Sequence, residues 1–134
     1  MNPLILLLAF DLAAVNAEAN LEKRADKALD HAAHLISSLR ETYNSGDMKK
    51  LGELLDEIAV SVELCRKSLE DSGKNPRRSP KYFKKAEMRT HDFERRLERF
   101  KNDMGPVDRP IADKTLDHMR IVHEGLLNDM MGKK

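Results

Sequence analysis

Apolar residues recur at spacings of three and four along four segments of the chain. This spacing keeps one face of a helix apolar and leaves the opposite face polar. The four stripes are Leu21, Ala25, Ala28, Ala32, Leu35, Leu39 and Tyr43; Met48, Leu51, Leu55, Ile58, Val62, Cys65 and Leu69; Phe83, Ala86, Thr90, Phe93, Leu97, Phe100 and Met104; and Ile111, Met119, Val122, Leu126 and Met130, with Leu116 on the margin of the last. We therefore predict four amphipathic helices, in which Leu35, Ile58, Phe93 and Val122 are buried.

Turn-forming residues separate the stripes and predict where each helix begins and ends. Residues suited to cap a helix start precede the stripes: Asn20, Asp47, Ser79 and Asp108. Pro80, directly after Ser79, suits a first helical position. Glycines, which readily take the left-handed conformation at helix ends, follow the stripes: Gly46, Gly73, Gly105 and Gly132. Together these residues predict helices at about 21–44, 48–71, 80–104 and 109–131.

Helices of similar length joined by short connections favour antiparallel packing side by side. The composition agrees, since 40% of the 134 residues are hydrophobic and only 6 are glycine and 5 proline. We predict an all-α fold, an antiparallel up-down-up-down four-helix bundle over residues 20–134. A helical hairpin that pairs into a homodimer is the alternative, because an alanine-rich first helix and few aromatic residues make a thin core.

The N-terminal residues have the pattern of a signal peptide. An apolar stretch over residues 3–15, interrupted by Asp11, is followed by small residues, and cleavage after Ala17 or Ala19 fits the small-residue rule. Residues 1–19 therefore predict export, to the periplasm or outside the cell. A short helix packed on the domain and an uncleaved anchor are the alternatives. Because Asp11 ends the first apolar run well short of the roughly 20 residues needed to span a bilayer, we expect no transmembrane span in the mature chain.

Several kinds of catalytic and cofactor site are missing from the sequence. The single cysteine, Cys65, excludes an internal disulfide and any zinc site built on two or more cysteines. Its place in the second stripe predicts a buried thiol that takes no part in catalysis. The chain has no Glu-x-x-His pair of a di-iron bundle, no His-Glu-x-x-His, no Gly-x-Ser-x-Gly and no glycine-rich phosphate loop. We therefore expect a non-enzymatic protein without a cofactor, which acts by binding a protein partner or an envelope component.

Histidines provide the alternative of a metal- or haem-binding bundle. His31 and His34 are three residues apart and together can hold a divalent ion. His123 points into the fourth apolar stripe, where it is a candidate haem ligand, although Met119 shares its helix and cannot supply the opposite axial ligand. His91, like His34, lies far from its stripe and is predicted to be solvated.

The strongest charge asymmetry follows the second stripe. Overall the 24 Lys and Arg nearly balance the 23 Asp and Glu, which argues against a globally basic nucleic-acid binder, as does export. Residues 74–89, in contrast, contain a single acid, Glu87, among seven cations: Lys74, Arg77, Arg78, Lys81, Lys84, Lys85 and Arg89. The first six of these cations are candidate ligands for an anionic polymer or a membrane surface. The opposing interpretation is a solvated surface partly neutralised by Glu63, Glu70 and Asp71 at the end of the preceding helix.

Two apolar residues stand on the charged face of the second predicted helix. Val60 and Leu64 are four residues apart and point away from the main stripe. An apolar pair on a polar face can seed contact with another chain. They are therefore candidate partner contacts.

Overall fold

The computed structural model describes residues 12–132, and this part of the chain is helical without any strand. Residues 12–17 form a short helical segment. Five helices follow: α1 Leu21–Ser37, α2 Leu39–Asn44, α3 Met48–Asp71, α4 Pro80–Asp103 and α5 Pro110–Met131. The all-α prediction is confirmed, while most of the predicted signal peptide, residues 1–11, lies outside the described residues. None of the described helices is both long enough and apolar enough to cross a bilayer.

The helix predicted over residues 21–44 is divided at Ser38. The backbone N–H of Ser38 donates to the carbonyl oxygen of Leu35 at 3.0 Å, three residues back instead of four. The hydroxyl of Ser37 also donates to the carbonyl oxygen of His34 at 2.6 Å. Serine hydroxyls that bond to the preceding turn commonly bend a helix. Leu39 is nevertheless buried, so the apolar face continues across the break.

Two of the four predicted caps form. The side-chain Oδ1 atoms of Asn20 and Asp47 accept hydrogen bonds from the first turns of α1 and α3, each at 3.0 Å. Ser79 precedes α4 without a side-chain cap, and Pro80 begins the helix as predicted. Asp108 does not cap α5, because that helix begins later, at Pro110. Glycines take a positive φ after three helices, at Gly46, Gly73 and Gly132, whereas Gly105 does not, because extended Met104 ends α4.

Tyr43 connects the end of α2 to the loop between α4 and α5. Its hydroxyl donates to Oδ2 of Asp108 at 2.8 Å and accepts from the backbone N–H of Gly105 at 2.9 Å. Its ring meets that of Phe100 edge-on, with 6.0 Å between centroids. This contact explains why Asp108 is not available as a cap, and it places the α2–α3 and α4–α5 loops at the same end of the molecule.

Ion pairs and hydrogen bonds fix the relative directions of the helices. Helix α1 packs along α3 and α4, and α5 packs along α4 and α3. Lys85 contacts Asp26 at 3.2 Å and Arg89 contacts Asp30 at 2.7 Å, so α1 and α4 run parallel. Helices α3 and α5 are also parallel. Thr115 of α5 donates to the carbonyl oxygen of Leu55 of α3, and further toward the C-terminal ends of both helices Asp129 of α5 lies near Arg66 of α3.

One apolar core joins these helices. Leu35, Ile58, Phe93 and Val122 are each at most 3% exposed, which confirms their predicted burial. Every residue of the third stripe, from Phe83 to Met104, is buried as well. Val15, from the helical segment that precedes α1, belongs to the same core.

Candidate metal centre

Helix α4 carries Glu87, His91 and Glu94 along one face. Their spacing of four and then three residues places successive side chains above one another on a helix of 3.6 residues per turn. The antiparallel neighbour α5 presents His123 to this face, with 14% of its side chain exposed. Two helices therefore bring two imidazoles and two carboxylates to one groove.

The two ring nitrogens of His123 face different carboxylates. Nδ1 lies 3.8 Å from Oε2 of Glu94, and Nε2 lies 3.8 Å from Oε2 of Glu87. The rings of His91 and His123 have centroids 5.1 Å apart with 34° between their planes. One ligand atom from each of His91, Glu94 and His123 lies within 4.8 Å of the other two. These three side chains converge on a single point in space.

Arg120 holds the second oxygen of Glu94. Its Nε donates to Oε1 of Glu94 at 3.2 Å, and its Nη2 donates to Oε2 of Glu98 at 2.8 Å. Partial burial lowers the pKa of Arg120, but the hydrogen bonds and charges of these two carboxylates raise it, and the net direction is upward. Arg120 therefore stays charged and orients Glu94, leaving its Oε2 directed toward His123.

Two imidazoles and one carboxylate form a ligand set that divalent transition metals prefer. Zinc sites with three protein ligands of this kind have bonds of about 2.0–2.1 Å, which place the ligand atoms about 3.4 Å apart. The ligand atoms here lie within 4.8 Å of one another, so the three side chains would draw closer together to hold an ion. Beside the set lies an open groove of about 350 Å³, lined by His91, Glu94, Arg95, Glu98, Arg99 and Asn102. A fourth coordination position can therefore be taken by water.

The structure places His31 and His34 in different surroundings. His31 is buried, with Nε2 3.7 Å from Oε2 of Glu57 on α3, whereas His34 is exposed.

His123 and Met119 also have different surroundings. Met119 is buried in the core, whereas His123 faces the carboxylates of Glu87 and Glu94. The charged neighbours of His123 favour an ion over the apolar ring of haem.

Sequence reasoning missed His91 and both carboxylates. His91 is exposed, as its distance from the apolar stripe predicted, but it belongs to the ligand set. Di-iron bundles carry Glu three residues before His, whereas here Glu94 stands three residues after His91 and Glu87 four before it. The sequence signal is therefore Glu-x-x-x-His-x-x-Glu on a single helix face.

Cys65 is outside this site. It is fully buried, as predicted, and burial raises the pKa of its thiol to about 12, with a smaller contribution from the charge of Asp26. A thiol in this state is neither a nucleophile nor a metal ligand at neutral pH.

Three of the seven cations in the basic segment pair with acids, and these acids belong to a different helix from the one expected. Lys74 contacts Glu22, and the Lys85–Asp26 and Arg89–Asp30 pairs also reach acids of α1. The predicted pairing with Glu63, Glu70 and Asp71 is wrong. These three acids contact other residues, namely His118, Arg66 and Lys67. The physical reason is that α4 lies beside α1 and touches α3 only slightly.

The two candidate partner contacts on α3 also have different surroundings. Val60 is 45% exposed, whereas Leu64 is partly buried and packs against the core.

Among the residues that the structure describes, the one group with three convergent ligand atoms is His91, Glu94 and His123. The chain matches no protein-family model, no curated protein and no solved structure.

Proposed function

We propose that this protein is a non-enzymatic helical protein that binds one divalent transition-metal ion, with Zn²⁺ the best fit to its ligands. The observation that carries the proposal is the convergence of His91, Glu94 and His123, whose ligand atoms lie within 4.8 Å of one another across two helices. The open groove beside them does not enclose a substrate as a typical catalytic pocket would. Binding without turnover is therefore the function that the geometry favours.

Each residue of the site has a separate role in this proposal. Nδ1 of His123 is the ligand atom, because it is the ring nitrogen that faces Glu94. Glu87 lies 3.8 Å from Nε2, and we expect its carboxylate to accept a hydrogen bond from that N–H when the ion binds, which fixes the tautomer as carboxylates do beside metal-bound histidines. Arg120 keeps Glu94 in place through its other oxygen. His91, the exposed ligand, closes the site when the ion arrives.

A zinc titration against a chromophoric chelator tests the proposal. We expect one site per chain, and we expect His91→Ala and His123→Ala each to weaken zinc binding more than tenfold, because losing a ligand costs at least as much as losing an outer-shell partner. Glu94→Gln should weaken it too, since a neutral amide replaces the only charged ligand. His34→Ala is the matched control, because it removes an exposed imidazole from another helix and leaves the site complete.

Three results would contradict the metal proposal. Equal zinc affinity in the unmodified protein and in His123→Ala would exclude the α4–α5 groove. A loss confined to His34→Ala would instead place the ion on α1, with His31. A haem absorption band at stoichiometric intensity would favour the axial-ligand alternative for His123.

We also propose that the helices form a four-helix bundle with α1, α3, α5 and α4 in order around the core, α2 continuing α1. Successive long helices then alternate in direction, as the sequence predicts. Contacts between α3 and α4 are slight, which supports placing these two across a diagonal. The parallel pairs, α1 beside α4 and α3 beside α5, follow from the same arrangement.

We also propose that the protein is exported, to the periplasm or outside the cell. There it would bind another protein or an envelope component. Export is supported by the small residues Ala17 and Ala19 after the apolar stretch. Either cleavage keeps Asn20, whose side chain caps α1, and removes Val15 from the core. We expect the intact mass of protein recovered from its native host to correspond to a first residue of Glu18 or Asn20. Correctly localised protein that retains residues 1–17 would contradict export by this route.

A further inference from the structure

We propose that α4 and the loop before it dock onto a bilayer surface rich in anionic lipid. The surface consists of Arg77, Arg78, Lys81, Lys84 and Met88, and we call it the basic face. Along α4 it precedes the metal ligands and adjoins their face, since Lys84 stands seven residues and Met88 three residues before His91. This inference is independent of the proposed metal binding.

Four cations of the basic face carry charge that no described acid offsets, and one of them, Arg77, packs against Gly132 at the end of α5. Lys74, Lys85 and Arg89 contact acids of α1, which offsets their charge. Within residues 12–132, Arg77, Arg78, Lys81 and Lys84 form no ion pair with a carboxylate, and all four are exposed. The positive end of the α4 macrodipole lies at the same place, since the helix begins at Pro80. Attraction for an anionic surface therefore concentrates there.

Apolar surface accompanies these charges. Lys84 and Lys85 stand one turn before Met88 and Lys81 two turns before it, and Met88 is 59% exposed. With Pro80 and Arg89 these residues line an open depression of about 500 Å³ whose accessible lining is almost all apolar. The apolar part comes from Pro80, Met88 and the aliphatic stems of the basic side chains. Lysine and arginine stems bury readily at a lipid interface while their charged ends stay in water.

The combination of charge and apolar surface favours a bilayer over a soluble polyanion. A polyanion is attracted by charge alone, with steep dependence on salt. An interfacial segment binds through both anionic headgroups and the burial of its apolar side chains at the acyl boundary. Met88, which lines the same depression as Lys81 and Lys84, contributes to binding in the second case and not in the first.

Vesicle co-sedimentation in the presence of EDTA tests this inference without involving the metal site. We expect the protein to bind vesicles of phosphatidylglycerol and phosphatidylcholine, with binding that falls as salt rises, and not to bind phosphatidylcholine alone. The double substitution Lys81→Ser/Lys84→Ser should weaken binding roughly thirtyfold, given the usual contribution of a basic residue near an anionic membrane. Met88→Ser should weaken it severalfold at every salt concentration.

The matched control is Lys49→Ser/Lys114→Ser. It removes the same charge from exposed positions in the first turns of α3 and α5, near the loops that Tyr43 connects. It should leave vesicle binding unchanged. Circular dichroism of each variant confirms that the fold is retained.

Three outcomes would overturn the inference. The first is failure to sediment with anionic vesicles at low salt. The second is an equal loss in the two double variants, which would mean that net charge and not the basic face is responsible. The third is retention on heparin with vesicle binding unaffected by Met88→Ser, which would assign the surface to a polyanion.

Discussion

Replacing Phe93 with alanine is expected to lower the free energy of unfolding by about 3–5 kcal/mol. Phe93 is 2% exposed and lies in the core, near the middle of α4. Removing the ring leaves a cavity among side chains that cannot fully close it, so lost burial and lost contacts both contribute. Met88→Ala is the control on the same helix, and since Met88 is largely exposed we expect a change within about 0.5 kcal/mol.

Chemical denaturation followed by circular dichroism measures this effect. The midpoint should be the same at low and high protein concentration, because all the helices around the core come from a single chain. A loss under about 1 kcal/mol for Phe93→Ala would contradict the core assignment of α4. A midpoint that rises with protein concentration would instead support the dimeric hairpin.

Local features of the fold could be read from the sequence. The third stripe shows this best, since each of its residues is buried and its helix begins at the predicted Pro80. Periodicity, proline and cap residues act over a few positions and need no knowledge of neighbouring helices. The division at Ser38 was missed because the apolar spacing continues through it, and only the serine hydrogen bonds mark the change.

The pairing of helices could not be read in the same way. An apolar stripe says that a helix faces a core, but it does not say which helix lies to its left or right. The assumption that consecutive helices are neighbours made Glu63 and Asp71 the expected partners of the basic segment. Helix α1 supplies those partners instead, through Glu22, Asp26 and Asp30.

The candidate metal site depends both on spacing within one helix and on the pairing of two helices. Glu87, His91 and Glu94 share a face by local spacing alone, so that part was within reach of the sequence. The addition of His123 depends on the register between α4 and α5, which is set by packing over the whole length of both helices. The apolar stripe of α5 made His123 a candidate haem ligand, but it did not indicate which helix or which carboxylates His123 would face.

Zinc at 100 times its dissociation constant is expected to raise the free energy of unfolding by about 2.7 kcal/mol, because a ligand that binds only the folded state stabilises it by mass action. The site joins α4 to α5, and the unfolded chain does not hold His91, Glu94 and His123 together. The midpoint of thermal unfolding should therefore rise by roughly 10 °C for a domain of this size. Unfolding scans with zinc and with EDTA measure the difference.

His91→Ala separates coordination from packing in the same experiment. Because the side chain is exposed, its removal should change the stability in EDTA by no more than about 0.5 kcal/mol, yet it should abolish most of the stabilisation by zinc. His34→Ala should keep the full zinc effect. A zinc-dependent rise that survives in His91→Ala and His123→Ala would mean that the ion binds elsewhere, and a large loss of stability in EDTA would mean that the imidazole stabilises the fold without a metal.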